Sequence, residues 1–163
     1  MNIPPYFVLH PEVKSALQAC HPIVALESAV ITHGLPQPEN LLLAQQLEQE
    51  VRAQQATPAT IALLHGKVHV GLTPAELEYL ASGVDPARKI SVRDFGVAVA
   101  RHENGGTTVA GTLAAAHRAG IRVFATGGIG GVHRDAPFDM SADLPLLGQS
   151  PLVVVCAGAK AIL

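Results

Sequence analysis

Apolar residues in this chain occur both as short continuous runs and in longer segments where they recur every three or four positions. Continuous runs rich in Val, Ile and Ala predict buried strands, whereas helical spacing predicts amphipathic helices packed on them. The runs that we interpret as strands are 22–32, 60–64, 68–70, 89–92, 121–125 and 152–156. The segments that we interpret as helices are 11–19, 39–55, 73–83, 95–102, 107–119 and 142–147.

Strands that alternate with helices predict a layered α/β domain with a largely parallel sheet. A chain of 163 residues is long enough for one such domain with its own core. We expect residues 1–21 to be a loosely ordered arm that carries one short helix. We also expect residues 104–106, Asn-Gly-Gly, to break the chain between two elements.

Composition narrows the class of protein. Charged residues make up only 15% of the chain, against about 25% in an average globular protein. So few charges predict buried subunit contacts, or a surface that further chain once covered. The formal net charge of −2 and the absence of Trp argue against a nucleic-acid partner.

The cysteines and the N-terminal sequence favour a cytoplasmic protein. Cys20 and Cys156 are far apart and form no CxxC motif, which predicts two reduced, buried thiols. Residues 1–5 show no basic segment leading into an apolar stretch. No run approaches the roughly 20 apolar residues of a membrane span, so we expect no membrane partner.

The last predicted strand, 152–156, leads through three small residues into Lys160. A lysine at the mouth of a buried strand is expected to be poorly hydrated, which disfavours its ammonium form. Its neutral amine would then be a nucleophile for the carbonyl of a sugar or keto compound. The alternative is an ordinary surface lysine.

Two other predicted strands also end at residues that suit chemistry, and sites in parallel sheets gather at such ends. Four glycines within 127–131 would let backbone N–H groups approach a phosphate or sugar, assisted by His133 and Arg134. The alternative is a flexible turn. Glu27 interrupts an apolar strand, so burial would raise its pKa and make it a general acid. The alternative is a strand-end glutamate paired with an arginine.

Two further groups of residues suit anions or cations. Lys89 follows Arg88 at the start of a predicted strand, which fits phosphate or carboxylate binding and equally a surface role. Asp135, Asp139 and Asp143 are hard oxygen donors that suit Mg²⁺ or Mn²⁺. Asp143 equally suits a helix N-terminus, where a carboxylate is stabilising.

Eight segments of the chain, several of them containing these residues, match one family in order and across nearly the whole length: 24–28, 32–36, 58–62, 89–94, 105–110, 123–134, 138–144 and 155–160. The glycine loop and the final Cys-Ala-Gly-Ala-Lys are long and specific motifs. In these segments the chain resembles the pseudouridine-5'-phosphate glycosidases.

The resemblance implies a three-layer α/β/α fold, a homotrimer, and reversible cleavage of the C–C glycosidic bond of pseudouridine 5'-phosphate to uracil and ribose 5-phosphate. By position, Lys160 is implied to be the Schiff-base lysine that holds the ring-opened sugar, and Glu27 the proton donor. Asp139 is implied to bind a Mn²⁺ ion. The implied substrate-binding positions are Lys89, Val109, Ser141, Ala142 and Asp143.

Family members continue well beyond Lys160, so we expect residues 1–163 to form a single, C-terminally truncated domain with an incomplete sheet. The absent part of the family fold supplies further active-site residues, including an asparagine. Two alternatives follow. The chain is an inactive relic that retains only sugar-phosphate or metal binding, or it is another lysine-imine enzyme, such as an aldolase, acting on a sugar phosphate.

Overall fold

The computed structural model describes residues 3–132 and 139–160. In chain order these ranges contain β1 (Phe7–Leu9), α1 (Pro11–Gln18), β2 (Ile23–Leu26), a π-helical turn (Val30–Gly34), α2 (Glu39–Ala53), β3 (Thr57–Leu64), β4 (Lys67–Val70), α3 (Pro74–Ser82), β5 (Ala87–Ile90), a 3₁₀ turn (Val92–Asp94), α4 (Phe95–Ala100), β6 (Asn104–Thr107), α5 (Val109–Ala119), β7 (Val123–Thr126), α6 (Asp143–Gln149) and β8 (Val153–Cys156).

The strands of these ranges form one mixed sheet whose main path runs β1-β4-β3-β2-β7-β8. Neighbours on this path are parallel, except that β3 and β4 form an antiparallel hairpin. Two strands lie off the path: β5 pairs in parallel with β6, and β6 pairs antiparallel with β3. The sheet is therefore mixed, with a parallel half formed by β3, β2, β7 and β8.

The central strand β3 is buried along its whole length because helices cover both faces of the sheet. Ile61 and Leu63 belong to the larger apolar cluster, which α1, α4 and α5 complete. Ala62 and Leu64 belong to a second cluster, which α2 and α3 complete. Successive side chains of a strand point to opposite faces, so each face carries its own helical layer. The prediction of a three-layer α/β/α fold is confirmed.

Local sequence signals set the ends of two helices as expected. Thr73 and Glu76 form a reciprocal capping box at the start of α3, which ends at Gly83 in the left-handed conformation with φ 62°. The side chain of Thr108 caps α5, which ends at Gly120 with φ 83°. These residues confirm the helices predicted at 73–83 and 107–119.

The strand predicted at 22–32 is wrong in length, because β2 ends at Leu26. The hydroxyl of Ser28 is completely buried; it donates to the carbonyl oxygen of Ile61 (2.5 Å) and accepts from the N–H of Thr107 (2.9 Å). The chain at Ser28 is thus bonded to β3 and β6 through a side chain. A π-helical turn follows where the prediction extended the strand.

The glycines of residues 104–106 lie in strand β6, and not in the break that the sequence predicted. A Cβ at Gly106 would lie 2.3 Å from Oγ1 of Thr32 and 2.7 Å from the carbonyl oxygen of Ser28. This glycine therefore allows two segments to pack closely. The N-terminal arm is also more ordered than predicted, since β1 pairs with β4.

β8 was predicted to be a buried strand, and this prediction is wrong. β8 pairs with β7 at one side of the sheet, and its Val153 and Val155 are 63% and 58% exposed. Only Val154 packs against the larger apolar cluster. Cys20 and Cys156 are free thiols, as expected, but both are exposed rather than buried. In the described ranges no helix has the length and apolar character needed to cross a membrane.

We expect Ser28→Ala to lower the free energy of unfolding by about 1 to 3 kcal/mol, because the buried N–H of Thr107 loses the hydroxyl that accepts its hydrogen bond. Urea unfolding monitored by circular dichroism measures this change. Ser15→Ala on the exposed side of α1 is the matched control, with an expected change below about 0.5 kcal/mol. Equal unfolding midpoints for the two variants would contradict the role given to Ser28.

Candidate active site

An open cleft of about 1380 Å³ lies at the carboxyl ends of β2, β7 and β8. These strands are parallel and in register, with Leu26 opposite Ala125 and Ala125 opposite Val155. The residues that follow them therefore meet at one edge of the sheet. The cleft is lined by every residue to which the resemblance gave a role: Glu27, Lys89, Val109, Asp139, Ser141, Ala142, Asp143 and Lys160.

Glu27 lies one residue beyond β2, half-buried, and its carboxylate accepts a hydrogen bond from the hydroxyl of Thr126. Burial is the main reason that the pKa of Glu27 is raised above its ordinary value; the Thr126 hydrogen bond and the charge of Lys160 act in the opposite direction. The sequence prediction of a raised pKa is confirmed. Its hydrogen-bond partner is a threonine, where the alternative interpretation expected an arginine.

Lys160 is exposed, so the prediction that it is poorly hydrated is wrong. The physical reason is that β8 and the residues after it lie at the open side of the sheet. The position of Lys160 is set by the glycine loop: Ile129 N–H donates to the carbonyl oxygen of Gly158 (3.1 Å), and Lys160 N–H donates to that of Ile129 (2.8 Å). The Lys160 side chain crosses the loop, since a Cβ at Gly128 would lie 3.4 Å from its Cγ.

Lys89 and Arg88 are neighbours on β5 but have different surroundings. Arg88 forms ion pairs with Glu103 (2.9 Å) and Asp94 (3.6 Å). Lys89 lines the cleft, is exposed, and lies close enough to Glu27 to lower the pKa of that carboxyl. Lys89 is therefore the residue of this pair that is available to an anion in the cleft.

Asp143 is only 7% exposed, and both of its carboxylate oxygens accept backbone N–H groups. Oδ1 accepts from Ala110 in the first turn of α5 (2.9 Å), and Oδ2 accepts from Gly130 in the glycine loop (2.8 Å). The N–H of Asp143 itself donates to the hydroxyl of Ser141 (3.2 Å). The interpretation of Asp143 as a helix-terminal carboxylate thus applies to α5, and not only to its own helix α6.

Of the three aspartates that the sequence suggested as metal ligands, Asp139 is the one that stays a candidate. It is exposed and lines the cleft, whereas Asp135, His133 and Arg134 lie outside the described residues. In the described ranges no three His, Cys, Asp or Glu side chains come together as a metal site. An exposed carboxylate in an open cleft fits a Mg²⁺ or Mn²⁺ ion that keeps most of its water ligands.

The structure adds polar residues to the cleft that sequence reasoning did not select: His33, Ser91, Arg93, Asp94, Thr108 and Thr126. The pKa of His33 is lowered by its partial burial and by the charge of Lys89, which places the two side chains near each other. Thr126 carried a usable signal, because it directly follows the strand predicted at 121–125. Thr108 lay inside the helix predicted at 107–119, and the structure instead places it at the N-cap of α5. Nothing in the sequence indicated that Arg93 lines the cleft, apart from its place in the segment 89–94 that resembles the family.

The family of the chain is shown by residues 12–163, which match the family described as "Indigoidine synthase A like protein". The chain belongs to the indigoidine synthase A-like family. No described segment of the fold falls outside the match except β1 and the start of α1.

Within the indigoidine synthase A-like family, curated relatives carry the name pseudouridine-5'-phosphate glycosidase, which confirms the resemblance. The protein from Herpetosiphon aurantiacus is 58% identical over 158 residues, which are 96% of this chain and 52% of the relative. The protein from Chloroflexus aurantiacus is 58% identical over 154 residues, which are 93% of this chain and 50% of the relative. The chain thus spans about half the length of these relatives.

Two solved structures share the fold. The prealnumycin C-glycosynthase AlnA, crystallised with ribulose 5-phosphate, superposes with a TM-score of 0.87 at 42% identity, covering 98% of this chain and 52% of AlnA. An indigoidine synthase A-like protein from Thermotoga maritima superposes with a TM-score of 0.87 at 32% identity, covering 100% of this chain and 53% of that protein.

The raised pKa of Glu27 predicts a pH-dependent cost to stability. The folded state binds a proton more tightly than the unfolded state, so stability falls as pH rises from the ordinary carboxyl pKa through the folded value. We expect Glu27→Gln to gain stability relative to the native chain between about pH 4 and about pH 7. Urea midpoints at both pH values measure this gain.

Glu50→Gln, at an exposed position of α2, is the matched control and is expected to show a smaller change between the two pH values. If Glu27→Gln instead lost stability relative to the native chain as pH rose, the sign assigned to Glu27 would be wrong.

Proposed function

We propose that this chain acts on the C–C glycosidic bond of pseudouridine 5'-phosphate, releasing uracil and ribose 5-phosphate reversibly through an imine on Lys160. The observation that carries the proposal is the meeting of Glu27 and Lys160 in one cleft, beyond the ends of β2 and β8, the two strands that flank β7. It is supported by the names of the curated relatives and by the C-glycosynthase with the same fold.

In the proposed reaction, the amine of Lys160 forms a bond to the sugar carbon C1' and the bond from C1' to the ring oxygen breaks. Glu27, whose pKa burial raises above its ordinary value, is proposed to take a proton from the attacking amine and to pass it to the departing ring oxygen.

The nitrogen, now bonded to C1', gives up a further proton to Glu27, and its lone pair forms the C=N bond while the bond between C1' and the base breaks. The electron pair of that bond goes to C5 of uracil, which takes the proton from Glu27 and leaves. Water hydrolyses the imine and returns ribose 5-phosphate and the free amine. The usual pair of glycosidase carboxylates does not apply here, because a C-glycoside has no leaving oxygen to protonate.

The phosphate is proposed to lie between Lys89 and Val109, the first residue of α5, since a helix N-terminus and an exposed cation both favour an anion. Ser141 and Ala142 are the further substrate contacts. Asp139 would hold Mn²⁺ or another divalent cation, and the ion supplies positive charge near the bound substrate. A cytoplasmic homotrimer is likewise part of this proposal.

A second candidate is C-glycoside formation on another acceptor, favoured by the AlnA structure, whose bound ligand is ribulose 5-phosphate. A relic with sugar-phosphate binding alone, and an aldolase-like enzyme, are the remaining alternatives. Release of uracil from pseudouridine 5'-phosphate, followed by absorbance, separates these from the leading proposal.

We expect borohydride with ribose 5-phosphate to attach one reduced sugar phosphate to Lys160 of the native chain, because reduction traps an imine irreversibly. Intact-mass and peptide mass spectrometry locate the adduct. Lys160→Ala is expected to abolish both adduct and uracil release, whereas Lys67→Ala, at an exposed position on β4, is expected to keep both. An adduct that persists in Lys160→Ala would remove the proposed nucleophile.

We expect Mn²⁺ to bind the chain weakly and Asp139→Asn to weaken it by about tenfold or more, since a carboxylate is the preferred protein ligand of this ion. Loss of the free-ion electron paramagnetic resonance signal during titration measures binding without any need for activity. Asp85→Asn is the control outside the cleft, with binding expected at the native level. Equal Mn²⁺ affinity for Asp139→Asn and the native chain would remove Asp139 as the ligand.

A further inference from the structure

Asp143 has an arrangement that substrate contact alone does not explain. Its carboxylate is almost completely buried, and each oxygen accepts an N–H from a different segment, Ala110 in α5 and Gly130 in the glycine loop. Burying an ionised carboxylate is costly unless it is hydrogen-bonded. Here two charge-assisted hydrogen bonds to the backbone meet that requirement, and they join parts of the chain 13 and 33 residues away.

The contact of Asp143 with Gly130 of the glycine loop, which we call the joint, is tightly packed. A Cβ at Gly130 would lie 2.3 Å from the hydroxyl oxygen of Ser141 and 3.0 Å from Oδ2 of Asp143. A second bond holds the same region, because Ser141 N–H donates to the carbonyl oxygen of Gly131 (2.9 Å). The start of α6 and the glycine loop therefore form one packed unit.

The glycine loop in turn holds both groups that the proposed reaction uses. Ile129, next to Gly130, bonds the backbone of Gly158 and Lys160. At the other end of the loop, Gly128 N–H donates to the hydroxyl of Thr126 (3.4 Å), and that hydroxyl donates to Glu27. A continuous set of contacts thus runs from Asp143 through the loop to the amine-bearing strand end and to the acid.

We propose that Asp143 is a positioning residue, which fastens the glycine loop to the N-terminus of α5 and thereby fixes Lys160 and Glu27 relative to each other. Its effect on the reaction rests on the proposed function; its effect on the loop does not. An amide at this position has one acceptor oxygen, so it satisfies only one of the two N–H groups and turns an NH₂ toward the other.

The first test measures the loop alone. We expect Asp143→Asn to speed amide hydrogen exchange by about 10- to 100-fold at Gly130 or at Ala110, whichever N–H loses its acceptor, as loss of a hydrogen bond to a charged group predicts. Exchange in the core strand β3 is expected to stay at the native rate. Asp85→Asn, which removes an exposed carboxylate outside the cleft, is expected to exchange as the native chain does. Unchanged exchange at both Gly130 and Ala110 in Asp143→Asn overturns the proposal.

The second test measures the reaction. The rate of borohydride-trapped adduct formation at saturating ribose 5-phosphate is expected to fall by about tenfold or more in Asp143→Asn, because misplaced groups react slowly. The half-saturating concentration is expected to stay within about twofold of the native value. A raised half-saturating concentration with an unchanged maximal rate makes Asp143 a substrate contact and overturns the positioning role.

The two tests separate the failure of this inference from that of the proposed function. If the native chain forms no adduct, the proposed function fails, and hydrogen exchange still decides whether Asp143 fastens the loop. If Asp143→Asn does not fold, Gly130→Ala replaces it, because its methyl group presses on Ser141 and Asp143 without changing charge. Faster exchange at Ala110 in that variant supports the joint, and native-like exchange there overturns it.

Discussion

The hydroxyl of Ser28 is the contact on which the arrangement of the cleft depends. It is the point where β2, β3 and β6 meet, because it donates to Ile61 of β3 and accepts from Thr107 of β6. Thr107 extends the same buried network to Thr112 of α5 (2.9 Å). These bonds end β2 at the residue before Glu27 and fix the start of α5 nearby. A fully satisfied buried network of this kind specifies one arrangement of the backbone.

The positions of Glu27 and Lys160 in the cleft are set in two different ways. Glu27 comes directly between β2 and Ser28, so its backbone is fixed on both sides while its side chain faces the cleft. Lys160 is held in a different way, by two backbone hydrogen bonds to the glycine loop rather than by a buried surrounding. One of the two groups is positioned by the core of the domain, and the other by a loop.

Much of the fold and most of the cleft could be predicted from the sequence, because they depend on local signals. The capping residues around α3 and α5 define those helices without reference to distant contacts. The order of strands and helices placed Glu27, the glycine loop and Lys160 at strand ends. The resemblance then supplied eight candidate site residues, all of which the structure brings together in one cleft.

The errors arose where distant contacts decide the structure. No residue near Ser28 in the sequence shows that its hydroxyl bonds Ile61 and Thr107 after β2 has ended. No residue near Gly106 shows that the hydroxyl of Thr32 occupies the space where a Cβ would lie. The hydration of Lys160 depended on the neighbours of β8, which an apolar run does not specify. The two hydrogen-bond partners of Asp143 were hidden for the same reason, since both are backbone groups.

The exposed valines of β8 have a consequence for how the protein behaves in solution. Within the described ranges β8 pairs on one side only, with β7, and alternate side chains present branched aliphatic surface to water. A strand with an open backbone edge and apolar side chains is a template for recruiting a further strand. The molecule therefore combines a well-ordered core with an open strand edge and exposed apolar side chains a few residues before Lys160. Self-association at high concentration would crowd the entrance of the cleft that Lys160 lines.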